Sequence, residues 1–153
     1  MVEGSLILPH ANATEAAGAA IAGVLRAGDA LLVAGDLGAG KTTLARGLLR
    51  ALGLVGEAPS PTFSIVQGYR PPEVRLPLAH VDLYRIKDPA EIEELGLDDA
   101  LADGALVVEW PERLGTRDWP DAAQLALGPG AGGEGRRLTW ALPAAWAERW
   151  PLR

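Results

Sequence analysis

Residues 30–43 constrain this chain more than any other stretch. Ala-Leu-Leu-Val-Ala, with no polar residue, runs straight into Gly-Asp-Leu-Gly-Ala-Gly-Lys-Thr-Thr. A short uninterrupted apolar run is the pattern of a strand buried on both faces. The residues from Lys41 to Leu52 then read as a helix that Gly53 ends. Between them Gly35, Gly40, Lys41 and Thr42 meet the pattern Gly-x4-Gly-Lys-Thr. The glycines permit backbone angles and a close approach that a Cβ would block, so successive N–H groups turn inward beside the positive end of the helix. That is a cradle for phosphate, a P-loop. Its Lys spans the terminal phosphates and its Thr hydroxyl reaches Mg²⁺. The expected nucleotide contacts are therefore Gly35, Asp36, Leu37, Gly38, Ala39, Gly40, Lys41, Thr42 and Thr43.

The basic residues strengthen this. The chain has twelve Arg and two Lys, Lys41 and Lys87. Where Arg is used almost everywhere, a Lys at position 41 marks a place for a compact point charge that a planar guanidinium would overfill.

Binding phosphate is not hydrolysis, which needs a carboxylate to organise the metal and a positioned water. Two acids qualify. Glu109 ends the apolar run Ala105–Val108 and should project from the carboxyl end of a buried strand, where ligand sites of α/β sheets lie. Asp82 lies near the end of the alternating segment 78–84. Either can hold Mg²⁺ while the other orients water, with spacing favouring Glu109 for the metal. Thr62, in Ser60-Pro61-Thr62-Phe63, is either a switch residue whose hydroxyl senses the metal or γ-phosphate, or part of a turn into a strand.

The other predicted elements are strands at 5–8, 62–69, 78–84, 122–127 and 136–142, the last two flanking a Gly-rich loop at 128–135. A helix over 14–27 is expected, with Asn12 or Thr14 as its cap, Glu15 completing a capping box with Asn12, and Gly28 closing it. Asp88-Pro89-Ala90-Glu91 starts another helix that Gly96 ends, Leu97–Leu101 can form a further turn, and a short helix near 144–150 finishes the chain. The expected fold is a three-layer α/β domain, one domain over 1–153, with a sheet partly parallel and partly antiparallel.

Composition excludes several function classes. There is no Cys for a disulfide framework or thiolate metal site. No basic-then-apolar leader and no ~20-residue apolar span is present, which points to the cytoplasm and away from a membrane. Acids outnumber bases 20 to 14, for a net charge of −6, so any nucleic-acid role is expected to be indirect. Asn12 is the only Asn, so no Asn-Lys-x-Asp guanine-reading motif exists, and ATP is favoured over GTP.

Four motifs together resemble one family across nearly the whole chain: Gly-Asp-Leu-Gly-Ala-Gly-Lys-Thr-Thr (35–43), Ser-Pro-Thr-Phe (60–63), His-Val-Asp-Leu-Tyr-Arg (80–85) and Val-Glu-Trp-Pro (108–111). Their order and spacing are similar to those of the TsaE (YjeE) family of small bacterial ATPases. The resemblance implies slow ATP hydrolysis with Mg²⁺, in the pathway that makes N6-threonylcarbamoyladenosine at position 37 of tRNAs reading codons that begin with A. It implies partners, the TsaD and TsaB proteins, which transfer the group to tRNA. Carried onto this chain, it makes Thr42 and Glu109 the Mg²⁺ ligands, Asp82 the essential acid beside them and Thr62 the switch. Trp110 would shape the nucleotide site, Gly133 would approach the nucleotide from the late hairpin, and Ala11 to Thr14 would lie near the base.

Two other functions fit a P-loop: a small metabolite kinase, for which no Arg-bearing lid segment is visible, and a module gated by nucleotide occupancy. Trp140, Trp146 and Trp150 read as packing for the terminal helix, with a partner surface as the alternative. His80 reads as packing, with support of Asp82 as its alternative, and neither Arg46 nor Arg85 is selected by spacing as an arginine finger.

Overall fold

Alternate residues of the central strands are apolar on both sides, and the chain folds so that each side meets helices. The structure, a computed structural model, describes residues 1–61, 64–115 and 119–153. Its seven strands are β1 (Val2–Leu8), β2 (Ala30–Ala34), β3 (Val66–Tyr69), β4 (Leu78–Asp82), β5 (Ala105–Glu109), β6 (Ala123–Pro129) and β7 (Arg136–Leu142). They form one sheet in the order β1-β7-β6-β2-β5-β4-β3. β6, β2, β5 and β4 run parallel, whereas β1, β7 and β3 join antiparallel. The mixed sheet expected from the sequence is present.

The α-helices among the described residues are α1 (Ala11–Ala22), α2 (Lys41–Ala51), α3 (Ala90–Glu93), α4 (Leu97–Asp103) and α5 (Ala144–Ala147). Leu31, Val33, Val107 and Leu125 bury against Ile21, Leu44, Leu48 and Leu49 of α1 and α2. The intervening residues Ala30, Leu106 and Val108 face Ile92, Leu97 and Leu114 on the other side. Truncating a fully buried Leu such as Leu49 to Ala would cost about 2–5 kcal/mol. Three layers result. α1 and α2 touch backbone to backbone: a Cβ on Gly18 would stand 2.1 Å from the Leu44 carbonyl oxygen, and one on Gly47 2.1 Å from that of Glu15.

Several predicted boundaries move. α1 begins at Ala11, capped by His10, whose Nδ1 accepts from the Ala13 N–H at 3.2 Å; neither Asn12 nor Thr14 is its cap. The same helix stops at Ala22, and Val24 and Leu25 continue its apolar pattern in a turn where their N–H groups donate to the Ile21 and Ala22 carbonyls. β3 begins only at Val66, because Ile65 adopts a left-handed φ of 63°. Residues 62 and 63, and with them the expectation for Thr62, lie outside the described residues. β4 ends at Asp82, whose Oδ1 accepts from the Tyr84 N–H at 2.9 Å and turns the chain out of the strand. The three C-terminal tryptophans are buried, with ring centroids 5.6 Å (Trp140–Trp150) and 5.9 Å (Trp146–Trp150) apart, and so serve packing rather than a partner surface.

Candidate functional site

The loop after β2 turns through Gly35 and delivers Gly40, at a φ of 105°, as the residue capping α2. A Cβ on Gly35 would meet the Leu127 carbonyl oxygen at 2.7 Å, so the loop can lie this close to β6 only with glycine there. α2 then starts at Lys41 with its positive end facing the loop.

Strand alternation decides which acids meet it. His80 and Asp82 share one face of β4, opposite Val81, and the parallel register sets Asp82 beside Glu109. Glu109 in turn pairs with Val33 at the end of β2. The Thr42 hydroxyl lies 3.1 Å from Glu109 Oε1 and 3.0 Å from Oε2. His80 Nε2 lies 2.6 Å from Oε2. Lys41 Nζ donates to the carbonyl oxygens of Gly35 (2.6 Å) and Asp36 (2.8 Å) and stands 4.4 Å from the Trp110 ring centroid. Trp110 is itself in the left-handed region (φ 60°), an unusual place for a bulky residue, and packs on Tyr84 at 4.9 Å.

These groups are charged yet nearly removed from water: exposure is 5% for Lys41 and Asp82, 2% for Glu109 and 1% for His80. Burial holds the Lys41 amine below its ordinary 10.5, while Glu109, Asp82, Glu112 and Asp36 pull it back up. A site with two buried acids, an amine and the positive end of α2 at its rim suits a ligand that brings both phosphate and a metal ion.

Leu37 to Thr43, Asp82, Glu109 and Trp110 line a cavity of about 230 Å³. A second, of about 220 Å³, lies across the loop and shares Gly38, Gly40 and Thr43 with it; Leu8, His10, Ala11, Thr14, Gly135 and Arg136 complete its wall. Gly133 lines neither cavity and lies in the turn Ala131–Gly133 between β6 and β7, whereas Gly135 and Arg136 line the second. Arg136 was not singled out from the sequence. Its Nε donates to Ala39 O and its Nη2 to Gly38 O, each at 3.0 Å, so β7 grips the loop by two carbonyls. A larger cavity of about 680 Å³ lies over β1, β7 and β6, but no residue of the loop lines it.

The donor set fits Mg²⁺. A hydroxyl and a carboxylate are hard oxygen ligands, and Mg²⁺ is usually held by one or two carboxylates with substrate phosphates rather than by an all-protein cage. Among the described residues no group of three or more His, Cys, Asp or Glu could hold a metal unaided.

A phosphate loop between a buried parallel strand and a helix, with two acids at the carboxyl ends of neighbouring strands, defines an α/β protein with a P-loop nucleotide-binding fold. The model of the family described as "Threonylcarbamoyl adenosine biosynthesis protein TsaE" matches residues 8–135, and the chain belongs to that family. It is 49% identical over 114 residues to a tRNA threonylcarbamoyladenosine biosynthesis protein TsaE of Synechocystis, covering 70% of this chain and 69% of the relative. The protein of the same name from Streptomyces coelicolor is 39% identical over 134 residues, covering 87% and 90%. The crystal structure of YdiB from Bacillus subtilis superposes with a TM-score of 0.80 at 27% identity, over 97% of this chain and 91% of that one.

Proposed function

We propose that this chain is a slow, Mg²⁺-dependent ATP hydrolase that serves threonylcarbamoyladenosine formation in tRNA together with a TsaD–TsaB transferase pair. The observation that carries the chemistry is the contact of Thr42 with Glu109 at 3.0–3.1 Å, beside the Lys41 amine. Family membership supports the pathway.

In this reading the 35–43 loop binds the phosphates through its N–H groups, and Lys41 exchanges its two carbonyl partners for phosphate oxygens. Thr42 and Glu109 hold the metal, with Asp82 beside them. When bound, Mg²⁺ neutralises charge on the terminal phosphates and aligns them for displacement. Asp82, anchored by its own turn to Tyr84, orients the attacking water. Trp110 covers the amine and excludes bulk water. The second cavity, walled by Ala11, Thr14 and Arg136, takes the nucleoside. No helix among the described residues is long and apolar enough to cross a membrane, and with the acidic balance of the chain this favours a cytoplasmic protein whose contact with tRNA runs through its partners.

The test mixes the protein with TsaD, TsaB, tRNA, Mg²⁺, threonylcarbamoyl-adenylate and either ATP or GTP. Repeated rounds of tRNA modification that need both this protein and ATP are expected. Equal modification without the protein would reject the pathway, and equal support by GTP would reject the nucleotide.

A further inference from the structure

We infer that His80 is a positioning residue for the metal-binding carboxylate, holding one oxygen of Glu109 so that the other stays turned toward Thr42 and the phosphates. This rests on the nucleotide–Mg²⁺ reading above and adds to it a side chain that spacing alone reads as packing or as support of Asp82.

The geometry starts from the strand ladder. His80 pairs with Val107 and Asp82 with Glu109, so the imidazole is the diagonal neighbour of the Glu109 side chain on the same face of the sheet. Its Nε2 lies 2.6 Å from Oε2, with side-chain exposures of 1% and 3%. An ionised carboxylate can only accept, so Nε2 carries the proton. The second ring nitrogen, Nδ1, is buried and has no hydrogen-bond partner among the described residues. Burying Nδ1 without a partner costs free energy that an apolar residue of similar volume, such as Leu or Phe, would avoid. The Nε2 bond is the contact that accounts for a histidine here.

The two oxygens of Glu109 are also unequal. Oε2 has His80 and Thr42 as neighbours, whereas Oε1 has Thr42 at 3.1 Å. The Thr42 hydroxyl has one proton to share between them, and it gives up that tie when its oxygen turns to a cation. The His80 bond then remains as the tie that fixes the Glu109 rotamer, with Oε1 free for the metal. Hydrogen-bond partners of metal-ligating side chains act in this way, orienting the ligand before the ion arrives.

The experiment compares wild type with His80→Leu and His80→Gln. Leu keeps apolar volume without a donor, while the Gln amide nitrogen reaches about as far as Nε2 and keeps one. Mn²⁺ affinity is read by electron paramagnetic resonance in the presence of a non-hydrolysable ATP analogue, and analogue affinity is read separately in EDTA. His80→Leu is expected to weaken Mn²⁺ binding about 10- to 100-fold, with unchanged analogue affinity in EDTA, and His80→Gln to restore most of the loss. Wild-type Mn²⁺ affinity in the Leu variant, or a Gln variant as weak as Leu, overturns the inference. If the Leu variant does not fold, His80→Asn replaces it, because its shorter side chain withdraws the donor; Gln tight and Asn weak is expected, and equal affinities overturn the inference. Failure of the wild-type protein to bind Mn²⁺ with the analogue would instead reject the underlying nucleotide–metal reading, and the inference with it.

Discussion

Buried charge collects at both ends of β2, and the two groups are built differently. At the amino end, Asp29 receives Arg149 Nη2 on Oδ1 at 2.7 Å, and Arg149 Nη1 (2.8 Å) with the Arg26 N–H (2.7 Å) on Oδ2. The same guanidinium caps the Val24 carbonyl and lies 4.0 Å over the Trp146 ring. One acid meets one base, and both carboxylate oxygens are matched. At the carboxyl end, Lys41 faces Glu109 and Asp82, yet its hydrogen bonds go to the carbonyls of Gly35 and Asp36. There, among the described residues, two acids stand against one amine and a buried His80 nitrogen has no hydrogen-bond partner. A saturated cluster ties chain segments together; an under-neutralised one keeps its charge available for a ligand.

The largest effect should come from Lys41→Ala. Removing the amine that lies beside Glu109 and Asp82 is expected to lower phosphate release about 10²- to 10³-fold, with little change in melting temperature. Steady-state hydrolysis and a thermal melt on the same preparation check this, and a variant that loses stability but keeps turnover would invert the comparison. Arg149→Ala should do the reverse. Breaking a buried pair by removing one partner costs about 3 kcal/mol, or roughly 6–12 °C in melting temperature for a domain of this size. Hydrolysis measured well below that melting point should stay near wild type. An Arg149→Ala protein that melts like wild type would break the distinction.

The ligand end of this comparison was legible in the sequence, and the anchoring end was not. Gly35, Gly40, Lys41 and Thr42 lie within eight consecutive residues, and Glu109 and Asp82 announce themselves by ending strand-like runs. Such signals are local, because they follow from the periodicity of a single strand or turn. Arg136 meets Ala39 across 97 residues, Arg149 meets Asp29 across 120, and His80 meets Glu109 across 29. Nothing local distinguishes Arg136 and Arg149 from the other Arg residues, and although His80 lies two residues before Asp82, only the strand order sets it beside Glu109. The start of α1 was misplaced for a related reason. Asn is a better cap than His on average, but His10 follows the strand end and its Nδ1 reaches the Ala13 N–H.

Arg136→Ala probes the join between the two kinds of cluster, since a guanidinium whose three nitrogens each donate to a carbonyl here holds the phosphate loop. Its removal frees the carbonyls of Gly38 and Ala39 and leaves the loop to find its shape when the nucleotide binds. Nucleotide affinity should fall about tenfold, the equivalent of ~1.4 kcal/mol, while the turnover of the saturated protein changes little. Titration with a fluorescent ATP analogue separates the two. A fall in turnover at saturation with unchanged affinity would place Arg136 among the groups that act in the chemical step.

The smallest effect calibrates what an unpartnered polar atom is worth in this fold. The Tyr69 hydroxyl is buried with no hydrogen-bond partner among the described residues, and it belongs to neither cluster. Burial pushes its pKa above the ordinary 10.0; nearby Glu73 adds to the shift and Arg46 opposes it. The unfolded chain releases this proton near pH 10 while the folded protein keeps it to higher pH, so over that window the unfolded state holds fewer protons and stability falls as pH rises. Tyr69→Phe removes both the orphaned hydroxyl and this contribution. The variant should match or exceed wild type by up to ~1 kcal/mol at pH 8, and its advantage should widen toward pH 10.5, as read from urea melts at the two values. A variant clearly less stable than wild type at pH 8 would show that the hydroxyl contributes to the fold.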